Sequence, residues 1–291
     1  MKSAAYCAVL FFAAGSALAQ IQVDLKLPRL QYIAYEPVVA TVGITNLAGR
    51  DIDLHDASGQ PWFGFEVTGQ DGQLIGILKT DPIQPPLKIE IGKRVTQKIN
   101  VAALFAVHDF GAYHVRAHIY FADLGKYFYS PAKVFEVTDA RPIWQRTVGI
   151  PEATSAPGDV RSYSLLSNRF PDHTSLYVRV QDKDRGIVYA TYSLGHIIAF
   201  DEPHAELDRG NQLHILFCAA PRVWAYDRIG LNGEHLSHAT FMETSSRPHL
   251  IRTTEGEVKI AGGMMEAPLN AETRSNAPKL SDRPPKSADH D

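Results

Sequence analysis

The segment DEPHAELD places Asp201, Glu202, His204, Glu206 and Asp208 in one short stretch. Carboxylates this close together suggest two chemistries. Two of them can act as acid and base on a glycosidic bond, which needs one protonated carboxyl and one ionised partner. One of them with His204 can supply part of a metal site, completed by ligands from elsewhere. In an extended chain Glu202, His204, Glu206 and Asp208 share a face, about 6.6 Å apart per step. Ala205 and Leu207 then point inward, and Pro203 suits an edge or a loop. The plainer account is therefore the wet face of a strand. Glu202, Glu206 and Asp208 stand as the catalytic candidates.

HVRAH supplies a second set. His114, Arg116 and His118 alternate with apolar residues and so share the polar face of a strand. Histidines four apart meet on a helix, but on a strand they lie about 13 Å apart, too far for one ion. What remains is a cationic patch for an acidic ligand, or a wet outer sheet face. GEHLSH lacks the H-E-x-x-H order, because Glu234 precedes His235. A regular strand also sends His235 and His238 to opposite faces, so no metal site is expected there. DKDRG opens like a calcium loop with Asp182, Asp184 and Gly186, but Ser193 stands where an EF-hand needs its bidentate Glu. It reads as a hairpin turn. Trp224 and Tyr226 share a strand face, with Tyr192 on a similar hairpin arm. Their rings can stack on sugars or peptides, or fill a core between sheets. His114, Arg116, His118, Trp224 and Tyr226 are the ligand-binding candidates. There is no G-x-S-x-G elbow and no phosphate loop, although a Ser–His–Asp triad gathered from distant residues stays open. No cofactor is expected.

These residues need a frame, and strands supply it. In IQVDLKL, Ile21, Val23, Leu25 and Leu27 alternate with polar residues, the pattern of a half-buried strand. PVVATVGIT, WFGFEV, RVTQKINV, GAYHVRAHIYF and VFEV continue the series, with turns at NLAGRD and GQDGQ. About seven short strands without a convincing helix argue for a two-sheet antiparallel sandwich. YEPVVATVGITNLAGRDI resembles the opening hairpin of immunoglobulin-like domains in secreted bacterial proteins. FGAYHVRAHI is similar to their late strand, in which a Tyr two residues after a Gly marks a corner. The resemblance spans residues 21 to 138. It implies that Tyr113 is the corner residue, and it carries no catalytic residues. The antibody-type cysteine pair is absent.

DARPIWQRTVGIPEATSAPGDV breaks the rhythm with Pro142, Pro151 and Pro157, and reads as a linker. SLYVRV, GIVYATYSL, HIIAF, LHILFCA, RVWAYDRI, HLSHATFM, HLIRTT and EVKIAG then follow as strands. Leu176, Leu213 and Leu250 are evenly spaced (213 − 176 = 37; 250 − 213 = 37), as are Tyr189 with Tyr226 and Leu194 with Leu231. Paired hairpins at such a period resemble propeller blades, too few here to close a ring. An open stack leaves an edge that a second copy or another partner must cover.

At the start of the chain, Lys2, the apolar run Ala4 to Ala14 and Ala17-Leu18-Ala19 form a signal segment with cleavage before Gln20. The run is too short to span a membrane, and Cys7 lies too early for a lipid-anchoring cleavage site. Export then leaves Cys218 as the remaining thiol. It can form no internal disulfide, and within LHILFCAA it reads as a small buried hydrophobe. From Glu266 onward, prolines and mixed charge predict disorder. A hydrophobic fraction of 45% supports packed cores, and a net charge of −3 argues against nucleic acid as a partner.

The expected organisation is a signal peptide over 1–19, an immunoglobulin-like sandwich over 20–139, a linker over 140–159, a β-hairpin repeat domain over 160–265 and a disordered tail over 266–291. The expected fold class is all-β. The expected function is an exported binding or scaffolding protein of the cell envelope, periplasmic or extracellular and without stable membrane insertion. Its partner would be another envelope protein or a polymer ligand. Two alternatives stand beside it. One is a secreted hydrolase of polysaccharide or peptide using the clustered carboxylates. The other is a protease-inhibitor-like sandwich whose loop around Pro82 to Pro86 enters a target.

Overall fold

The computed structural model describes residues 20–78, 84–150, 159–198 and 200–266. The expected signal segment, the first part of the inhibitor-type loop (82–83) and the tail beyond Glu266 lie outside the described residues. Among those described, the chain is all-β, with two single-turn 3-10 segments at Val101–Ala103 and Ala122–Leu124. No described helix is long and apolar enough to cross a membrane. The chain divides between Arg141 and Pro142 into two compact units.

The N-terminal unit contains β1 (Ile21–Lys26), β2 (Gln31–Ile33), β3 (Val39–Asn46), β4 (Ile52–Leu54), β5 (Phe63–Thr68), β6 (Leu87–Ile89), β7 (Arg94–Asn100), β8 (Gly111–Phe121), β9 (Lys126–Tyr129) and β10 (Lys133–Thr138). One sheet runs β1-β3-β7 and the other β2-β10-β8-β5, while β4 and β6 pair separately. β9 and β10 both pair antiparallel with β8, on its C-terminal and N-terminal halves respectively. They act as one last strand broken at Pro131, which has no N–H to give. Ser130 bridges the break: its N–H donates to Ala117 O at 2.9 Å and its Oγ accepts from Ala117 N–H at 3.0 Å. β2 pairs parallel with β10. The sheets β1-β3-β7 and β10-β8-β5 match the A-B-E and G-F-C strands of an immunoglobulin-type sandwich.

Alternation explains the packing. Ile21, Val23, Leu25, Val42 and Ile44 of one sheet share a buried core with Phe65, Val67, Val115, Ala117, Ile119, Phe135 and Val137 of the other. Tyr113 is the corner residue expected from the resemblance. Its hydroxyl donates to Asp109 O at 2.9 Å, four residues upstream. Its ring stacks on Phe135 with centroids 5.4 Å apart.

The C-terminal unit begins sooner than expected. Residues 141–149, read from sequence as linker, form β11 (Arg141–Gly149). Pro142 sits near the strand start, where its missing N–H is tolerated. Trp144 and Val148 pack on the core, which gives the strand its reason to form. β12 (Val160–Arg169), β13 (Thr174–Asp182) and β14 (Ile187–His196) complete a four-stranded sheet in sequence order, antiparallel from β12 to β14. β15 (His204–Leu207), β16 (Leu213–Ala220), β17 (Val223–Ile229) and β18 (His235–Met242) form a second meander, ended by β21 (Met264–Met265). β19 (His249–Arg252) and β20 (Val258–Ala261) are a separate hairpin.

Tyr163, Leu165, Leu176, Val178 and Val180 of the first sheet meet Leu213, Ile215, Phe217, Ala225 and Ile229 of the second. The opposite face of the second sheet offers Leu216, Cys218, Trp224 and Phe241, against which Leu250 and Ile260 of the β19–β20 hairpin pack. β16 is thus buried on both sides, which is why its sequence is a continuous apolar run. Cys218 belongs to this second layer, and burial pushes its thiol pKa upward.

The 37-residue spacing takes on a definite meaning here. Leu176, Leu213 and Leu250 lie on the first arms of three successive hairpins, β13–β14, β16–β17 and β19–β20, with Tyr189 and Tyr226 on second arms. β13 is third in its sheet and β16 second in its own. The spacing therefore marks hairpin after hairpin and does not map one sheet onto the next.

Candidate functional site

The clustered carboxylates are held by separate partners. Glu206 Oε2 accepts from Arg252 Nη2 at 3.0 Å. Asp208 closes the turn before β16: its Oδ1 accepts from Gln212 N–H at 2.9 Å and its Oδ2 lies 3.1 Å from His214 Nε2. Glu202 is exposed and precedes β15. Glu206 and Asp208 thus have separate partners, on β19 and on the turn into β16. DKDRG is a turn as expected, with Asp182 Oδ1 accepting from the N–H groups of Asp184 and Arg185, both at 3.0 Å. Asp182 also faces the buried Arg161 at 3.7 Å. A buried guanidinium needs such a partner, so this group is structural.

Trp224 is not a ligand platform. It is 1% exposed, with Nε1 donating to Glu243 Oε2 at 3.2 Å and Arg247 over its ring at 4.3 Å. The side of β17 that looked available is covered by the β19–β20 hairpin. Tyr226 is half-buried, and its hydroxyl is paired with His214 Nδ1 at 2.7 Å. Tyr192 lies between the sheets, donates to Gly233 O at 3.0 Å, and has its pKa pushed up to about 12 by burial.

The strand of His114, Arg116 and His118 behaves differently. All three point outward, as alternation predicts, and the neighbouring strands build on them. Arg116 Nη2 donates to both carboxylate oxygens of Glu66 on β5, at 2.9 and 2.8 Å. The Arg116 guanidinium also lies over the Tyr129 ring at 4.5 Å. Directly across β8 and β9, His118 faces Tyr129 and Tyr120 faces Tyr127. The four rings form a ladder, with centroids 5.9 Å apart for His118–Tyr129, 5.5 Å for His118–Tyr127 and 4.9 Å for Tyr120–Tyr127. Tyr127 and Tyr129 are 37% and 47% exposed, enough to offer ring faces to a ligand. Tyr127 is oriented by its hydroxyl, which donates to Gln60 Oε1 at 2.6 Å.

On the other side of His118 stands Gly64. A Cβ there would lie 2.5 Å from His118 Nε2, so the glycine gives the imidazole its room. Burial lowers the His118 pKa, the Glu66 charge opposing and the Arg116 charge adding. The ring is thus held neutral below the pH at which a free imidazole would charge. Beside the ladder runs a groove of about 400 Å³, lined in part by Glu66, Thr68, Gln70, His114 and Arg116. The sequence pointed to His114, Arg116 and His118. It did not pick out Tyr127 and Tyr129, whose alternation in KYFY is the signal that marks them.

A second gathering overturns an expectation. His235 and His238 do not point to opposite faces. In the β17–β18 pairing Asp227 faces His238 and Ile229 faces His235, so Leu236 has no partner. This is a β-bulge, and the extra residue restores both histidines to the face of Asp227. His235 Nε2 and His238 Nδ1 lie 2.6 and 2.8 Å from the same oxygen, Asp227 Oδ1. The candidate ligand atoms of the three residues lie within 4.8 Å of one another, among the described residues. Nothing in GEHLSH announces the bulge, and Asp227 lies outside that stretch, on the preceding strand.

No protein-family model matches the chain, and no curated protein matches it in sequence. Among solved structures it is similar to Spo0M, a sporulation control protein from Bacillus subtilis. The identity is 11% and the TM-score 0.30, over 61% of this chain and 91% of that one. A likeness of that size carries no argument; the fold rests on the strand pairings described above.

Proposed function

We propose that this chain is an exported binding protein of the cell envelope, and that the outward face of β8 and β9 holds a hydroxyl-rich polymer such as a glycan strand. The observation behind it is the contiguous ladder of His118, Tyr120, Tyr127 and Tyr129 beside the Arg116–Glu66 pair. A sugar ring has an apolar C–H face and a rim of hydroxyls. Ring faces suit the first, and a fixed guanidinium–carboxylate pair offers donors and acceptors to the second. An extended face suits an extended ligand. Peptide is the competing occupant, and the same rings would serve it.

The test is retention of the full chain on insoluble polysaccharides and cell-wall material, compared with the double variant Tyr127→Ala, Tyr129→Ala. Retention by the parent and its loss in a variant with unchanged circular dichroism supports the reading. Equal retention of both, or retention of neither, overturns it. Retention on immobilised unfolded peptide alone transfers the face to a protein partner. Export is tested separately by N-terminal sequencing of the protein from its producing cells. Gln20 is the expected first residue, and an uncleaved Met1 opposes export by this route.

A further inference from the structure

We propose that Asp227, His235 and His238 bind a divalent transition-metal ion of the zinc type, in a site on the C-terminal unit separate from the ring ladder. Two imidazole nitrogens and one carboxylate are the ligand set such borderline ions take, with the remaining coordination positions left for water or a ligand. The arrangement is built by the fold: β17 supplies Asp227, β18 supplies both histidines, and the Leu236 bulge aims them at one point.

The carboxylate gives the second, independent indication. Asp227 is 2% exposed, and its Oδ1 meets both imidazoles. Its Oδ2 is buried with no hydrogen-bond partner. A buried carboxylate with one oxygen unsatisfied lacks compensation for its lost hydration, and a cation at the convergence of the three groups supplies it. His235 and His238 are 45% and 50% exposed, so an ion can reach the site from solvent and keep open positions facing it.

The proton balance is simple. Each imidazole now directs toward Asp227 Oδ1 the nitrogen that would ligate the metal. If each is neutral and donates that N–H, binding requires only that the proton move to its other nitrogen. For His235 that is Nδ1, for His238 Nε2, and both rings are exposed enough to hydrate it. Metal–ligand bonds near 2.0–2.1 Å at tetrahedral angles set ligand atoms about 3.3 Å apart. The rings must therefore withdraw from Asp227 by about half an ångström, within the reach of half-exposed side chains. The other histidine pair of the unit, His173 and His196, is instead stacked ring on ring at 4.1 Å, and Asp172 occupies His173 Nδ1 at 2.7 Å.

The experiment is calorimetric titration of the chelator-treated full chain with Zn²⁺, and visible absorption with Co²⁺ in its place. One saturable equivalent is expected, with the absorption of low-coordinate Co²⁺. H235Q and H238Q should each weaken Zn²⁺ binding by more than about 100-fold, beyond what loss of a merely supporting residue costs. H173Q should bind as the parent does. Asp227→Asn should also abolish binding. Should that buried change unfold the unit, the two exposed histidine variants decide the matter, with circular dichroism reporting their fold. Absence of saturable Zn²⁺ binding, or binding unchanged in both H235Q and H238Q, overturns the proposal.

Discussion

The β8–β9 face of the N-terminal unit and the β17–β18 pair of the C-terminal unit both gather rings, by opposite means. Along β8 and β9 the alternation runs unbroken. Successive outward residues step along the sheet and spread His118, Tyr120, Tyr127 and Tyr129 into a surface. Between β17 and β18 the alternation is broken once, at Leu236, and the break converges His235 and His238 on Asp227. A regular ladder makes an area, and a bulge makes a point. The first suits a ligand with length, the second an ion. The units also differ behind these faces. The ladder's sheet has one wet side and one buried side, whereas the β16–β17 sheet is covered on both.

That difference sets the order of expected effects. Trp224→Ala removes a ring packed between β17 and its covering hairpin, and should cost about 3–5 kcal/mol in urea unfolding of the C-terminal unit. A loss as small as that of a surface change would mean the second layer is not a true core. Tyr113→Phe deletes the corner hydrogen bond to Asp109 while leaving the ring on Phe135. About 1 kcal/mol should be lost from the N-terminal unit, read by the same measurement. Gly64→Ala should cost less, under about 1 kcal/mol, because the displaced neighbour is the far end of an imidazole. It should nonetheless shift the His118 and Tyr129 ring signals in NMR and reduce polymer retention. Unperturbed rings would show that Gly64 does not shape the ladder. Tyr129→Ala alone should change stability by no more than about 0.5 kcal/mol. A larger loss would make the ladder structural.

The smallest effect concerns pH. The folded pKa of His118 lies below its unfolded value because burial disfavours the charged ring. Its contribution to stability is therefore complete above the unfolded value, near 6.5. It is lost as pH falls through the folded pKa, since the unfolded chain takes up the proton first. His118→Gln should flatten that part of the stability–pH curve. An NMR titration of the ring in the parent should place its midpoint below the ordinary imidazole value.

Much of the frame was legible because strands write their burial into period two. Ile21 to Leu27 and Tyr113 to Phe121 declared which side faces inward, and the structure agrees residue by residue. The Gly111–Tyr113 spacing marked the corner correctly. β11 was missed because Pro142, Pro151 and Pro157 dominated the reading, while Trp144 and Val148 were the residues with a core to join. Trp224 stayed ambiguous because a ring on a strand face does not reveal that a later hairpin will cover it. The Asp227 group was invisible for a sharper reason. One unpaired residue inverts the face of everything beyond it, and a bulge leaves no mark in the types of residues around it.

The parallel pairing of β2 with β10 has a mechanical side. Gln31, Tyr32 and Ile33 lie beside Glu136, Val137 and Thr138, with the two strands running in the same direction. Tension drawn between Leu30 and Asp139 runs along both strands in opposite senses. It loads their hydrogen bonds together in shear, where a hairpin pulled from its open end would unzip one rung at a time. The pairing thus clasps the segment that follows β1 to the last strand of the sandwich, so that force drawn between them meets several bonds at once.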